Sequence, residues 1–230
     1  MAKVILAVPN RSAAQEEMPK LLREGAGLYI FPEGFLRSEE DVAMALALTE
    51  KMEATVLAGY REGDREKVLV LENGSVTDEY TKCVLHTSEK GRGKRPGNEI
   101  RCVRTRLGKI AVPICYELHF PEVCRIMALE KPVLLVNPIG TGMYHQLQYS
   151  QWRAIARARA IENETPVAGC CHFCGEIPLA FAFNSAGEEL LAVKGQYGSF
   201  GVDVGLAEST GQPLGYFADR TPGLFGALAL

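Results

Sequence analysis

Apolar residues along this chain gather in short runs, and between several of those runs the apolar positions recur every three or four residues. Residues 3–8 and 27–31 are apolar at consecutive rather than alternate positions, which predicts strands buried on both faces. Between them, 15–23 has the spacing of a short polar helix, and 39–52 that of a second one. Residues 54–58, 67–71 and 76–83 predict three more strands. The last two are joined by Glu72-Asn73-Gly74-Ser75, where Asn-Gly accepts the positive φ of a two-residue hairpin turn, so antiparallel pairing enters the sheet. Residues 90–98, rich in Gly, Lys and Arg, read as a loop, and 100–106 and 109–114 as a strand pair around Leu107-Gly108.

The second half repeats the style. Residues 121–129 predict a helix with Pro121 in its first turn, where a missing N–H costs nothing, and 133–136 a buried strand. Residues 148–162 carry the clearest helical pattern, with Trp152, Ile155, Ala156 and Ala160 on one face. Strands are predicted at 167–172, 179–183, 190–193 and 199–204, with Asn184-Ser185-Ala186-Gly187 as a hairpin turn. Helices separated by several strands, some of them hairpin-linked, predict an α/β fold of sheets covered by helices. With no linker, repeat or low-complexity segment, the 230 residues predict one domain over 1–230.

Composition works mainly by exclusion. Hydrophobic residues at 47% and charged residues at 23% describe an ordinary folded domain, and a net charge of −3 gives no electrostatic case for a nucleic acid or membrane partner. The amino-terminal apolar run is cut at Pro9, too short for a secretory leader, and no run approaches the roughly 18 apolar residues of a membrane span. Seven cysteines, an odd number, with no export signal predict reduced thiols and a cytoplasmic protein.

The chemistry is concentrated at the ends of apolar runs. In Ile110-Ala-Val-Pro-Ile-Cys115-Tyr-Glu-Leu-His-Phe-Pro121-Glu, a strand ends at a cysteine and becomes a helix within six residues. A sharp turn there exposes a thiol beside free backbone N–H groups; the alternative is a small buried hydrophobe. A thiol with a pKa of about 8.5 needs a base or a cation to act as a nucleophile. Glu33 directly follows the buried run Leu28-Tyr-Ile-Phe-Pro, where burial raises a carboxyl into the range of a general base. Lys82, in Tyr80-Thr-Lys82-Cys-Val-Leu, is a cation in a strand-like run, where lysine is rarely buried without a partner. Taken singly, each also fits a solvated side chain.

Phe31-Pro-Glu33, Tyr80-Thr-Lys82 and Ile114-Cys115-Tyr-Glu-Leu-His-Phe-Pro-Glu, in this order and spacing, resemble the signature of the nitrilase superfamily of carbon–nitrogen hydrolases. The resemblance extends to Pro96-Gly97 after the lysine and to Asn137-Pro138 as the turn after the next strand. It continues through Trp152 with Arg157 to Asn163 and Pro166 on the long helix and its following strand, the Asn184 to Glu188 hairpin, and Arg220-Thr-Pro222. It implies an α-β-β-α sandwich and an amidase-type enzyme with Cys115 as nucleophile, Glu33 as base and Lys82 stabilising the oxyanion with the backbone N–H of Tyr116. Glu89 matches the position of a second, substrate-orienting carboxylate. The implied reaction is attack on an amide, loss of ammonia to give a thioester, and hydrolysis to a carboxylic acid, with nitrile or N-carbamoyl amide hydrolysis as alternatives. No metal or cofactor is implied. Glu117 and His119 stand where amidase-type members commonly have Asp and Arg, so an arginine that helps order the site is missing. At 230 residues the chain is near the short limit of the family.

Three further features were weighed. Cys170-Cys171-His172-Phe-Cys174 looks like half a zinc site, and a metal- or redox-binding module is the non-enzyme alternative. Without a second Cys-x-x-Cys, and continuing a strand, these residues are expected in the core. Residues 90–109 hold eight basic side chains and one acid, Glu99, without aromatic stacking residues, so a substrate-steering loop is expected rather than a nucleic-acid patch. Arg92, Lys94, Arg95 and Arg101 there predict a small amide that also bears a carboxylate. Tyr144 and His145 are candidates for the pocket lining. The apolar residues 224–230 and the helix-mediated pairing that the resemblance implies predict at least a homodimer.

Overall fold

The computed structural model describes residues 1–11, 13–22, 25–206 and 215–226. The predicted helix end at Arg23 and residues 227–230 of the apolar tail lie outside the described residues.

One six-stranded sheet has the order β12-β1-β2-β3-β4-β5: β1 (Ala2–Val8), β2 (Leu28–Ile30), β3 (Thr55–Glu62), β4 (Arg65–Glu72), β5 (Ser75–Thr81) and β12 (Gly198–Val204). The other has the order β11-β10-β9-β8-β7-β6: β6 (Val103–Thr105), β7 (Gly108–Ala111), β8 (Leu134–Ile139), β9 (Val167–Cys171), β10 (Leu179–Phe183) and β11 (Glu189–Lys194). In each, parallel pairs (β1-β2-β3, β7-β8-β9) are flanked by antiparallel ones. This is the expected α-β-β-α sandwich.

Alternation along β1 shows why. Val4, Leu6 and Val8 join the core that the two sheets share, while Ile5 and Ala7 pack under the helices α1 (Ala14–Leu21) and α2 (Glu39–Thr49). Both faces are dry, so the run is apolar throughout. The second sheet is covered by α4 (Pro121–Ala128) and α5 (Gln146–Glu162), whose Trp152, Ala156 and Ala160 are buried.

Several bounds differ from the sequence expectations, each for a local reason. β3 runs on to Glu62 because Gly63, at φ 56°, closes a second hairpin to β4. The predicted strand 100–106 shrinks to Val103–Thr105, since the Cys102 N–H is taken by the Glu130 carboxylate. β7 stops at Ala111, two residues before Pro113, which has no N–H for a ladder. Asn137-Pro138, expected as a turn, lies inside β8. A short helix, α3 (Thr87–Gly91), precedes the basic loop and was not foreseen. The Asn73-Gly74 turn is present, with φ 50° and 71°.

Candidate active site

Glu33 leaves β2 through Phe31-Pro32, and its side chain is 8% exposed. Lys82 follows β5 and is 1% exposed. Its Nζ lies 2.7 Å from Glu33 Oε1 and 2.8 Å from Glu89 Oε1, so one ammonium joins two buried carboxylates. Glu89 is aimed by the cap of α3: its Oε2 accepts the His86 N–H at 2.7 Å, and the His86 ring accepts the Ser88 N–H. The unforeseen helix therefore delivers the second carboxylate.

Cys115 stands at φ 50°, a left-handed conformation that a side chain rarely adopts, as the chain swings from β7 into the single 3-10 turn Cys115–His119. Its thiol hydrogen-bonds with Glu33, and the Gly140 N–H faces its sulfur. Gly140 has no alternative here, because a Cβ would strike the Glu33 carboxylate.

Two further side chains fix this geometry. Glu117, fully buried, accepts from Tyr80 Oη (3.0 Å), Cys83 N (2.7 Å), Val84 N (3.0 Å) and Ile114 N (2.8 Å), tying the end of β5 to the residue before Cys115. Asn137 donates through Nδ2 to Pro113 O (2.7 Å) and Cys115 O (3.1 Å) and accepts from Trp152 Nε1 at 2.9 Å. Sequence reading quoted Glu117 only as a departure and Asn137 only as a turn. Where an arginine was missed at His119, Arg159 of α5 donates to the carbonyls of Leu118 (3.0 Å) and His119 (3.2 Å). His119 itself packs edge-on against Trp152, its ring pushed toward neutrality by burial.

The electrostatics follow from burial and pairing. Desolvation raises Glu33, opposed by Lys82. Burial alone would lower the Lys82 ammonium, but Glu33, Cys115 and Glu89 outweigh it and hold its pKa well above the usual lysine range. Burial and the adjacent Glu33 push the Cys115 thiol far up, against Lys82 and the Gly140 N–H, so the proton rests on sulfur until a base withdraws it.

These groups open on a cavity of about 480 Å³ whose walls include Tyr116, His119, Tyr144, Gln148 and Trp152, a volume suited to a small molecule. His145 has a different part: it is exposed and caps α5, accepting the Gln148 N–H at 3.1 Å, because an unsatisfied helix N-terminus claims its ring. Of the four loop cations, only Arg92 reaches the cavity. Lys94 pairs with Glu66 (3.0 Å), Arg95 with Asp64, and Arg101 with Asp78 (2.8 Å). Arg11 and Arg61, unremarked in the sequence, also line it.

Cys170, Cys171, His172 and Cys174 do not converge. The Cys170 thiol faces Ile30 O, Cys171 Sγ accepts the Leu179 N–H, Cys174 lies beside Thr141, and His172 Nε2 is 2.9 Å from Glu33 O. Among the described residues no group of three His, Cys, Asp or Glu side chains is arranged to hold a metal. Burial lowers the His172 pKa to about 4, so the ring is neutral and braces the Glu33 main chain.

The carbon–nitrogen hydrolase family profile matches residues 9–203. The chain belongs to this family, within the nitrilase superfamily. A mouse protein, deaminated glutathione amidase, is 26% identical over 210 residues, covering 74% of this chain and 64% of the relative. Matches to several other curated relatives cover about half of their length or less, at 52%, 26% and 23%. A carbon–nitrogen hydrolase from Helicobacter pylori G27 superposes with a TM-score of 0.84 at 19% identity, covering 100% of this chain and 98% of that one. An amidase from Nesterenkonia sp. AN1 gives 0.77 at 19% identity over 97% and 95%; its active-site cysteine carries the acetamide moiety of fluoroacetamide.

Proposed function

We propose that this protein hydrolyses a small linear amide to a carboxylic acid and ammonia through a thioester on Cys115. The observation that carries the reading is Lys82, buried between Glu33 and Glu89 at 2.7 and 2.8 Å, in the same cavity as Cys115. As sulfur attacks the amide carbon, Glu33 takes the thiol proton, and the Lys82 ammonium with the Tyr116 N–H stabilises the oxygen that becomes negative. Collapse breaks the C–N bond; Glu33 returns the proton to nitrogen and ammonia leaves. Water then attacks the thioester, Glu33 takes one of its protons, the C–S bond breaks, and the proton returns to sulfur as the acid departs. Glu89 holds Lys82 and orients substrate. The names of the mouse and Nesterenkonia relatives support an amide over a nitrile or an N-carbamoyl compound.

Ammonia release from a panel of small amides, nitriles and N-carbamoyl amides tests this. Turnover of amides is expected, and activity confined to nitriles would overturn it.

One domain over 1–230 and assembly into at least a dimer belong to the same proposal. Exposed Ile126 and Leu129 on α4, with Leu224 and Phe225, support assembly. A light-scattering mass well above the 25.1 kDa of one chain is expected at micromolar concentration, and a mass equal to it would count against pairing.

A further inference from the structure

The charges deep in the cavity satisfy one another: Lys82 serves Glu33 and Glu89, while Arg61 (2.8 Å) and Lys94 (3.0 Å) share Glu66 Oε1. Arg11 and Arg92 are different. Both line the cavity and are exposed, and among the described residues neither side chain has an ion-pair or hydrogen-bond partner. They come from separate elements, Arg11 from the segment after β1 and Arg92 from the C-terminal cap of α3. Arg11 also adds to a crowd of like charge, since Arg11 and Arg61 both act on Arg37 and disfavour its charged form. Guanidinium groups without counterions on the wall of a partly enclosed cavity raise the local concentration of anions, and their planar fork matches a carboxylate.

We propose that Arg11, with Arg92, binds a carboxylate at the far end of the substrate, so that the amide cleaved at Cys115 is the ω-amide of a short dicarboxylic acid. This rests on the amidase reading. It replaces the earlier expectation of a general steering loop, because Lys94, Arg95 and Arg101 already have acidic partners. A neutral amide would leave both guanidiniums uncompensated, and a cationic one would be repelled.

The test compares glutaramic acid with pentanamide, which match in length and differ in the terminal carboxylate. The wild type is expected to favour glutaramic acid in kcat/KM, with the preference shrinking as salt rises. Arg11→Gln is expected to reduce that preference by roughly 10- to 100-fold, mainly through KM, as for loss of a hydrogen bond to a charged group. Arg11→Lys should keep part of it, and Arg11→Gln/Arg92→Gln should abolish it. Both arginines are exposed, so these variants should melt like the wild type. Equal use of the two amides, or an equal loss on both in Arg11→Gln, would overturn the proposal. Ammonia from neither amide would strike the amidase reading instead. Calorimetric titration of Cys115→Ala with glutaramic acid then decides the subsite: binding weakened by Arg11→Gln supports it, and no difference overturns it.

Discussion

Cys115→Ala is expected to reduce kcat/KM to the background rate, a loss on the order of 10⁴- to 10⁶-fold, while melting close to the wild type. The size follows from chemistry, because removing a covalent nucleophile deletes the acyl-enzyme route and leaves only binding and electrostatics. Cys115→Ser should be nearly as damaging. Glu33, although raised by burial, remains far too weak a base to withdraw a proton from an ordinary hydroxyl. The same reasoning sets the order of labelling. Burial pushes the Cys102 and Cys124 thiols up to about 12, without a base beside either, whereas Cys115 is next to Glu33 and faces the cavity. Mass spectrometry after incubation with substrate or iodoacetamide should find the first adduct on Cys115. First labelling at Cys170, Cys171 or Cys174, with Cys115 untouched, would refute the assignment.

The contrast between Glu33 and Glu117 shows what a sequence discloses. Glu33, Lys82 and Cys115 are visible because each interrupts or ends an apolar run, and a charge or thiol there invites an explanation. The structure brings them together. Glu117 and Asn137 are equally buried, but their work is to satisfy N–H and C=O groups 15 to 34 residues away, and no local pattern encodes those partners. Arg11 was silent for the opposite reason: an exposed arginine looks the same in any loop until the fold decides which cavity it faces. His145 was misjudged because a ring next to a helix start serves equally as a cap, and the exposed N-terminus of α5 claimed it. The strands were read well where both faces are dry, as in β1 and β9, and poorly where a side chain took a ladder donor, as Glu130 does at Cys102.

Lys82→Met is expected to damage stability and catalysis together, with a characteristic pH dependence. In the native protein the ammonium lies 2.7 and 2.8 Å from two carboxylates that are each nearly buried. Without it, Glu33 and Glu89 face each other uncompensated, and breaking a buried ion pair from one side costs about 3–5 kcal/mol. For a chain of this size that lowers Tm by on the order of 10 °C at pH 8. The variant recovers by taking up a proton. Glu33 is already raised by burial, and losing its cation raises it further, so the folded variant binds that proton more tightly than the unfolded chain does. Stability is therefore regained as pH falls through the folded pKa, and the difference in Tm from the wild type should shrink toward pH 5. In the wild type, the raised Lys82 contributes stability that is fully present below the unfolded lysine value of about 10.4, so its melting should not show this recovery. Turnover should fall by roughly 10²- to 10³-fold through lost oxyanion stabilisation, and the acid limb of kcat/KM should move to higher pH because the base is harder to ionise. Thermal melts at pH 5, 6.5 and 8, paired with a pH–rate profile, check both effects. A constant gap in Tm across that range would mean that Glu33 and Glu89 do not carry charge at neutral pH, and Lys82 would then lose the partners on which its role depends.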